Sequence, residues 1–227
     1  MTKTKITVLV PMKGNSERVP NKNLRLFDGK PLYHAVISEL LKSKCINQVV
    51  INTDSEKIKT DANQHFPTVL IVDRPLEICG DFVPMNDVIA YDMSQVPSDI
   101  YIQTHSTNPL MKIETLDNAI EAFLENRGKY DSVFSVTRLQ TRLYWEDGSA
   151  VNHNPSELLR TQDLPPVFEE NSNFFIFTKE SFEKSGNKRI GLKPMMFPMN
   201  KIEAQDIDEP EDFIIAENLY KIRHDLR

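Results

Sequence analysis

The chain opens on an apolar, β-branched run, Ile6-Thr7-Val8-Leu9-Val10, that stops at Pro11. A short continuous run of this kind predicts a buried strand. A polar loop over 12–23 follows. Apolar residues then recur at helical spacing over 31–43 (Leu32, Val36, Leu40, Leu41), and Pro31 suits a first helical turn. The pattern goes on to predict strands over 48–53, 69–72, 99–104 and 132–136, and helices over 55–65, 85–93 and 112–126. The last of these carries Ile113, Leu116, Ile120, Phe123 and Leu124 on one stripe. Strands alternating with helices predict a mostly parallel sheet covered on both faces. With right-handed crossovers this is an α/β, Rossmann-like doubly wound fold.

The period is lost after Arg138. Over 141–166 the chain is punctuated by Trp145, Asp147-Gly148 and Asn154-Pro155, and Asp147-Gly148 is a hairpin turn signal. We expect one domain over 1–227 with an excursion over 139–170 that serves as a lid, a dimer contact or both. Tyr144 and Trp145 suit an interface as well as a local core. Strands return over 174–178 and 194–199, and a terminal helix covers 209–223.

Composition changes this picture little. Of 227 residues, 40% are hydrophobic and 26% charged, the balance of a globular chain. The net charge of -6 argues against a nucleic-acid or anionic-membrane binder. Cys45 and Cys79 show no metal-ligand or disulfide pattern. No apolar run is long enough for a membrane span, so a cytoplasmic protein is expected.

Charge distribution is more telling than its sum. Lys13, Arg18, Lys22, Arg25 and Lys30 face only Glu17 and Asp28 in the same stretch, a local +3 (five cations less two carboxylates). In open parallel sheets ligands bind beyond the carboxyl ends of strands, where this loop sits. Pro11-Met12-Lys13-Gly14-Asn15-Ser16-Glu17-Arg18-Val19-Pro20-Asn21-Lys22-Asn23 offers backbone N–H groups, amides, a hydroxyl and cations, which phosphates need. It is neither the dinucleotide fingerprint nor the P-loop. Asp206 and Asp208 are two apart, which on an extended strand places both carboxylates on one face, a Mg²⁺-binding arrangement. The alternative for Asp208 is a capping box with Glu211. Asp54 or Ser55 suits a helix cap as well as a site. His105 is a lone histidine in a polar loop.

These segments together resemble the acylneuraminate cytidylyltransferases, the CMP-sialic acid synthetases. The loop from Lys13 to Asn23 is similar to the family's signature loop. Asn52-Thr53-Asp54-Ser55, Asp73-Arg74-Pro75-Leu76 with Asp81, Gln103-Thr104-His105-Ser106-Thr107-Asn108, Asn171-Ser172 (where the family has Asn-Gly) and Asp206-Ile207-Asp208 follow in the family's order. The resemblance implies CTP and an acidic nine-carbon sugar as substrates, Mg²⁺ (or Mn²⁺) as cofactor, and a homodimer. It implies a nucleotide site of Met12, Lys13, Gly14, Asn15, Ser16, Lys22, Asn23, Arg74 and Asp81. Gln103, Thr104, Arg160, Glu169 and Asn171 would meet the sugar, and Asp206 and Asp208 the metal. Lys13, Arg18, Lys22 and Asp208 would carry catalysis.

The departures concern the sugar. Ser16-Glu17-Arg18 replaces Ser-Lys-Gly and leans toward the related CMP-3-deoxy-octulosonate synthetases. Glu169 and Glu170 stand where the sialic branch commonly has Arg-Pro, whose arginine meets the sugar's carboxylate. Arg160 is a candidate to compensate. Another sugar nucleotidyltransferase and a non-catalytic nucleotide-binding module are the rival readings. An oxidoreductase lacks its glycine motif.

Overall fold

A computed structural model describes residues 4–14, 16 and 18–225; Asn15 and Glu17 of the first loop lie outside the described residues. The chain runs β1 (Ile6–Met12), β2 (Leu26–Phe27), β3 (Lys30–Pro31), α1 (Leu32–Leu40), β4 (Gln48–Thr53), α2 (Glu56–His65), β5 (Leu70–Asp73) and α3 (Met85–Gln95). It continues with β6 (Ile100–Thr104), α4 (Ile113–Glu125), β7 (Ser132–Leu139), β8 (Val167–Phe177), α5 (Lys179–Lys184), β9 (Pro194–Met199) and α6 (Pro210–Asp225).

One seven-stranded sheet has the order β5-β4-β1-β6-β8-β7-β9. β5, β4, β1 and β6 pair in parallel, as do β7 and β9. β8 alone is reversed, antiparallel to both β6 and β7. The sheet is thus mostly parallel and doubly wound, as expected. β1 alternates between two cores. Ile6, Val8, Val10 and Met12 pack with α1, α2 and α4, while Leu9 packs with α3 and Phe182 of α5. A strand buried on both faces is what a continuous apolar run encodes.

The chain leaves β1 for β4 and β5 on one side, then crosses to β6 on the other, so β1 and β6 flank the switch point. Loops 13–25 and 105–112 emerge there side by side. A third cluster, of Phe27, Leu32, Leu110, Ile207, Phe213 and Ala216, fastens α6 against the β2–β3 ribbon. That ribbon turns on Asp28 (φ 49°) and Gly29 (φ 78°), left-handed at both positions as a type I′ turn requires.

The excursion is shorter than expected, because β7 extends to Leu139 and β8 starts at Val167. Within it, Gly148 (φ 81°) turns the chain and Tyr144 pairs with Ala150, a single bridge in place of a ladder. Tyr144 and Trp145 are 55% and 65% exposed, so neither is local core.

Candidate active site

The first wall of the site is the loop after β1. Gly14 N–H donates to Asp54 Oδ1 at 2.7 Å, which holds the loop against the end of β4. A Cβ on Gly14 would meet Ser55 Cβ at 3.0 Å, so the close approach depends on glycine. Asn23 donates to the Lys13 carbonyl at 3.0 Å and accepts from Ser106 Oγ at 2.6 Å, joining this loop to the one after β6. Ser55 also caps α2 through Ile58 N–H at 3.4 Å.

The second wall is residues 206–209. Ile207 N–H donates to the Thr107 carbonyl at 3.0 Å, which lays the segment beside the β6 loop. Ile207 is buried in the third hydrophobic cluster, while Asp206 and Asp208 both face a cavity of about 530 Å³. The i, i+2 geometry thus holds, but the capping reading of Asp208 does not. Asp212 reaches back to the Asp208 and Glu209 N–H groups at 3.1 and 2.8 Å, and Asp208 Oδ1 instead receives Arg18 at 2.7 Å.

The two walls touch through their charges. Arg18 also donates to Glu209 Oε1 at 3.0 Å. The buried Lys22 ammonium donates to the Ile207 carbonyl at 2.6 Å and lies 3.7 Å from Asp208 Oδ1. Lys13 pairs with Asp81 at 2.9 Å. A phosphate bound here would take over cations now facing carboxylates, and the released carboxylates would face a metal ion. Asp206 fits that role. Burial, with Asp208 alongside, raises its pKa against a hydrogen bond from Thr107. A divalent cation would offset that cost, and two hard carboxylate oxygens beside a phosphate site suit one.

The remaining expected residues divide. Met12 is buried at the end of β1, and Ser16 lies in the first loop. Arg74 turns inward: its Nε donates to Asn52 Oδ1 at 2.6 Å and its Nη2 to the Asn52 carbonyl at 3.2 Å. It braces the end of β4 and does not present its guanidinium to the cleft. Glu169 and Asn171 line the cavity with Glu170, Ser172, Lys201 and Gln205. Asn171 donates to Thr137 Oγ1 at 3.1 Å. Thr104 is occupied by the Asn173 carbonyl at 2.7 Å. Arg160 is not brought there; it forms a bidentate pair with Asp163 at 2.7 and 3.1 Å in the excursion. Its own loop supplies a nearer carboxylate than any sugar.

Four residues were not legible in the sequence. Arg189, from the loop after α5, lies over the Phe175 ring at 4.1 Å and donates to Gln103 Oε1 at 2.5 Å. This orients Gln103 so that its Nε2 donates to the Thr104 carbonyl at 3.0 Å and meets His105 Nε2 at 3.2 Å. His105 Nε2 is therefore the acceptor. Desolvation, with Arg189 nearby, drops its pKa to about 4, so the ring is neutral at neutral pH. Asp92, buried on α3, accepts from Asn52 at 2.6 Å, and burial pushes its pKa up to about 7. Ser106, whose segment is readable but whose bond to Asn23 is not, and Asp212 complete the four. Helical spacing could have shown Asp92 to be a polar residue on the apolar side of α3; the other three depend on tertiary contact.

A larger cavity, about 840 Å³, lies at the opposite ends of β1 and β6, with Ser98, Asp99 and Tyr130 in its lining. It is remote from the convergent loops, whereas Asp206 and Asp208 line the smaller cavity.

A family model described as cytidylyltransferase matches residues 7–221. A pseudaminic acid cytidylyltransferase of Campylobacter jejuni is 27% identical, the match covering 96% of this chain and 97% of the relative. A CMP-N,N'-diacetyllegionaminic acid synthase of Legionella pneumophila is 29% identical over 97% of this chain and 98% of its own length. Among solved structures, a CMP:2-keto-3-deoxy-manno-octonic acid synthetase complexed with CTP superposes with a TM-score of 0.73 at 12% identity, covering 97% of this chain and 100% of the other. That similarity is one of fold.

Proposed function

The chain belongs to the cytidylyltransferase family, and we propose that it transfers CMP from CTP to the anomeric hydroxyl of an acidic nonulosonic sugar. The observation that carries this reading is the contact of Lys22 and Arg18 with the Asp206–Asp208 segment at the edge of a cavity. Cations for a triphosphate and carboxylates for a metal meet within one contact.

Enzymes of this kind generally use a divalent metal, which we take to be Mg²⁺ held by Asp206 and Asp208. It would supply Lewis-acid polarisation of phosphate oxygens. The protein's own part is positioning and charge. The sugar hydroxyl attacks the α-phosphorus, the bond to the bridging oxygen breaks, pyrophosphate leaves, and the hydroxyl proton passes to solvent. Lys13, Lys22 and Arg18 offset charge on the departing pyrophosphate. Asn23, Ser106 and Gly14 hold the loop against the ends of β4 and β6, which keeps its cations at the cleft. Asp81 and Lys13 close its outer edge.

The sugar side is assigned to Glu169 and Asn171, which line the cavity, whereas Gln103 is fully buried with both amide atoms bonded to Arg189 and the Thr104 carbonyl. Two glutamates repel a carboxylate, so we place the sugar's carboxylate toward the first-loop cations and its hydroxyl and amide groups toward Glu169 and Asn171. The two relatives are named for pseudaminic acid and for N,N'-diacetyllegionaminic acid, and this chain's substrate is an acidic sugar of that kind in our reading. The same reading makes the chain one catalytic domain in a cytoplasmic homodimer, with the exposed Tyr144 and Trp145 of the excursion meeting a second copy. No helix among the described residues is long and apolar enough to cross a membrane.

Pyrophosphate release tests the reading, with CTP, UTP or ATP and a panel holding N-acetylneuraminate, legionaminate- and pseudaminate-type sugars and 3-deoxy-octulosonate. Release with CTP and a nonulosonic sugar, lost in Asp206→Asn, is expected. Release with 3-deoxy-octulosonate alone would favour the octulosonate branch, and absence of CTP binding would overturn the proposal.

A further inference from the structure

On the sheet face covered by α1 and α2, away from the nucleotide loop, three metal-ligand side chains meet. Asp61 and His65 are one turn apart on α2 and project from one stripe. His34, in α1, faces them. His34 Nε2 lies 2.6 Å from Asp61 Oδ2, and His65 Nδ1 lies 3.2 Å from Asp61 Oδ1. One ligand atom from each of the three falls within 4.8 Å of the others. The cluster borders a cavity of about 330 Å³ shared with Gly29, Lys30 and Ser38, which gives an ion an entry path.

The surroundings match what a metal site needs beyond its ligands. The Tyr33 hydroxyl donates to Asp61 Oδ2, and an outer partner of this kind fixes ligand orientation. His34 beside Asp61 is 6% exposed. Two imidazoles and one carboxylate are a set for borderline cations, while Mg²⁺ prefers oxygen alone.

We propose that His34, Asp61 and His65 form a second metal site, distinct from the nucleotide cleft, that binds Zn²⁺ or a similar divalent transition-metal ion with water completing its shell. Seating the ion widens the 2.6 Å His34–Asp61 contact toward the roughly 3.3 Å between ligands on tetrahedral Zn²⁺. The ion ties α1 to α2 beside the turn of the β2–β3 ribbon.

Zn²⁺ titration of the untagged, metal-free full chain against a chromophoric chelator, with excess Mg²⁺ and CTP occupying the cleft, tests this. One equivalent is expected, retained in Asp206→Asn and weakened at least about tenfold in His65→Ala, since even losing an outer partner costs that much. His65 is the exposed member, so this variant should fold, which circular dichroism checks. Co²⁺ should give a visible absorption band in the wild type that His65→Ala loses, and Zn²⁺ should raise Tm in the wild type only. Equal affinity in wild type and His65→Ala, or no stoichiometric Zn²⁺ binding, would overturn the site.

Discussion

On the β1–β4–β6 side of the cleft, polar side chains are buried and interlocked. Asn52 joins Arg74 to Asp92, Asn23 joins Lys13 to Ser106, and Gly14 is pinned to Asp54. On the β7–β8 side the ladder breaks. Phe134 pairs with Phe175 but Val136 pairs with Glu170, so residues 171–174 stand opposite Ser135 alone. Ser172 there adopts φ 53°, and Glu169 and Glu170 stay exposed. Bulges of this kind re-aim side chains next to sites. The first side is built before any ligand arrives, because buried polar groups are costly unless paired. The second is strained and open, and substitutions there are expected to leave the first undisturbed.

The largest expected effect comes from breaking the first side at its cation. Lys22→Met should lower kcat/KM for CTP by about 10²–10³-fold, the usual cost of one charge-stabilising donor. Steady-state kinetics checks this, and a sugar KM that moves more than the CTP term would blur the division of the cleft.

The next effect is on stability. Burial raises the Asp92 pKa to about 7, whereas the unfolded carboxyl titrates near 4. Between those values the folded chain keeps a proton that the unfolded chain has lost. This contribution is full below about pH 4 and declines as pH rises to about 7. Asp92→Asn keeps the acceptor for Asn52. It should be more stable than wild type at pH 8, by at most about 4 kcal/mol, and equal near pH 4. Thermal melts at the two pH values measure the difference.

The smallest effect lies on the second side. Ser172→Gly removes a left-handed non-glycine residue and should raise stability by about 0.5–1 kcal/mol in urea melts, with CTP affinity unchanged.

The same division governs what could be read from sequence. β4 is readable over 48–53 because Val49-Val50-Ile51 at its centre is apolar and β-branched, and α4 because its stripe keeps one period. β8 was placed only over 174–178, since Phe168-Glu169-Glu170-Asn171-Ser172 has no alternation and owes its strand form to β7. The β2–β3 ribbon went unpredicted although Asp28-Gly29 is as good a turn signal as Asp147-Gly148; its strands are two residues each and depend on α6 for burial. The sequence singles out Lys13, Lys22, Asp206 and Asp208 by motif and spacing, and the structure brings Lys22 to 3.7 Å from Asp208. Arg189 is not singled out, since 86 residues separate it from Gln103. Arg160 looked like a sugar contact until its neighbour Asp163 was seen to hold it.

The most direct test of the divided cleft is the CTP Kd, measured with Mg²⁺ in Glu169→Gln/Glu170→Gln and set beside kcat/KM across the sugar panel. The account predicts an unchanged CTP Kd with a reordered preference among sugars. A weakened CTP Kd with the sugar preference intact would contradict it.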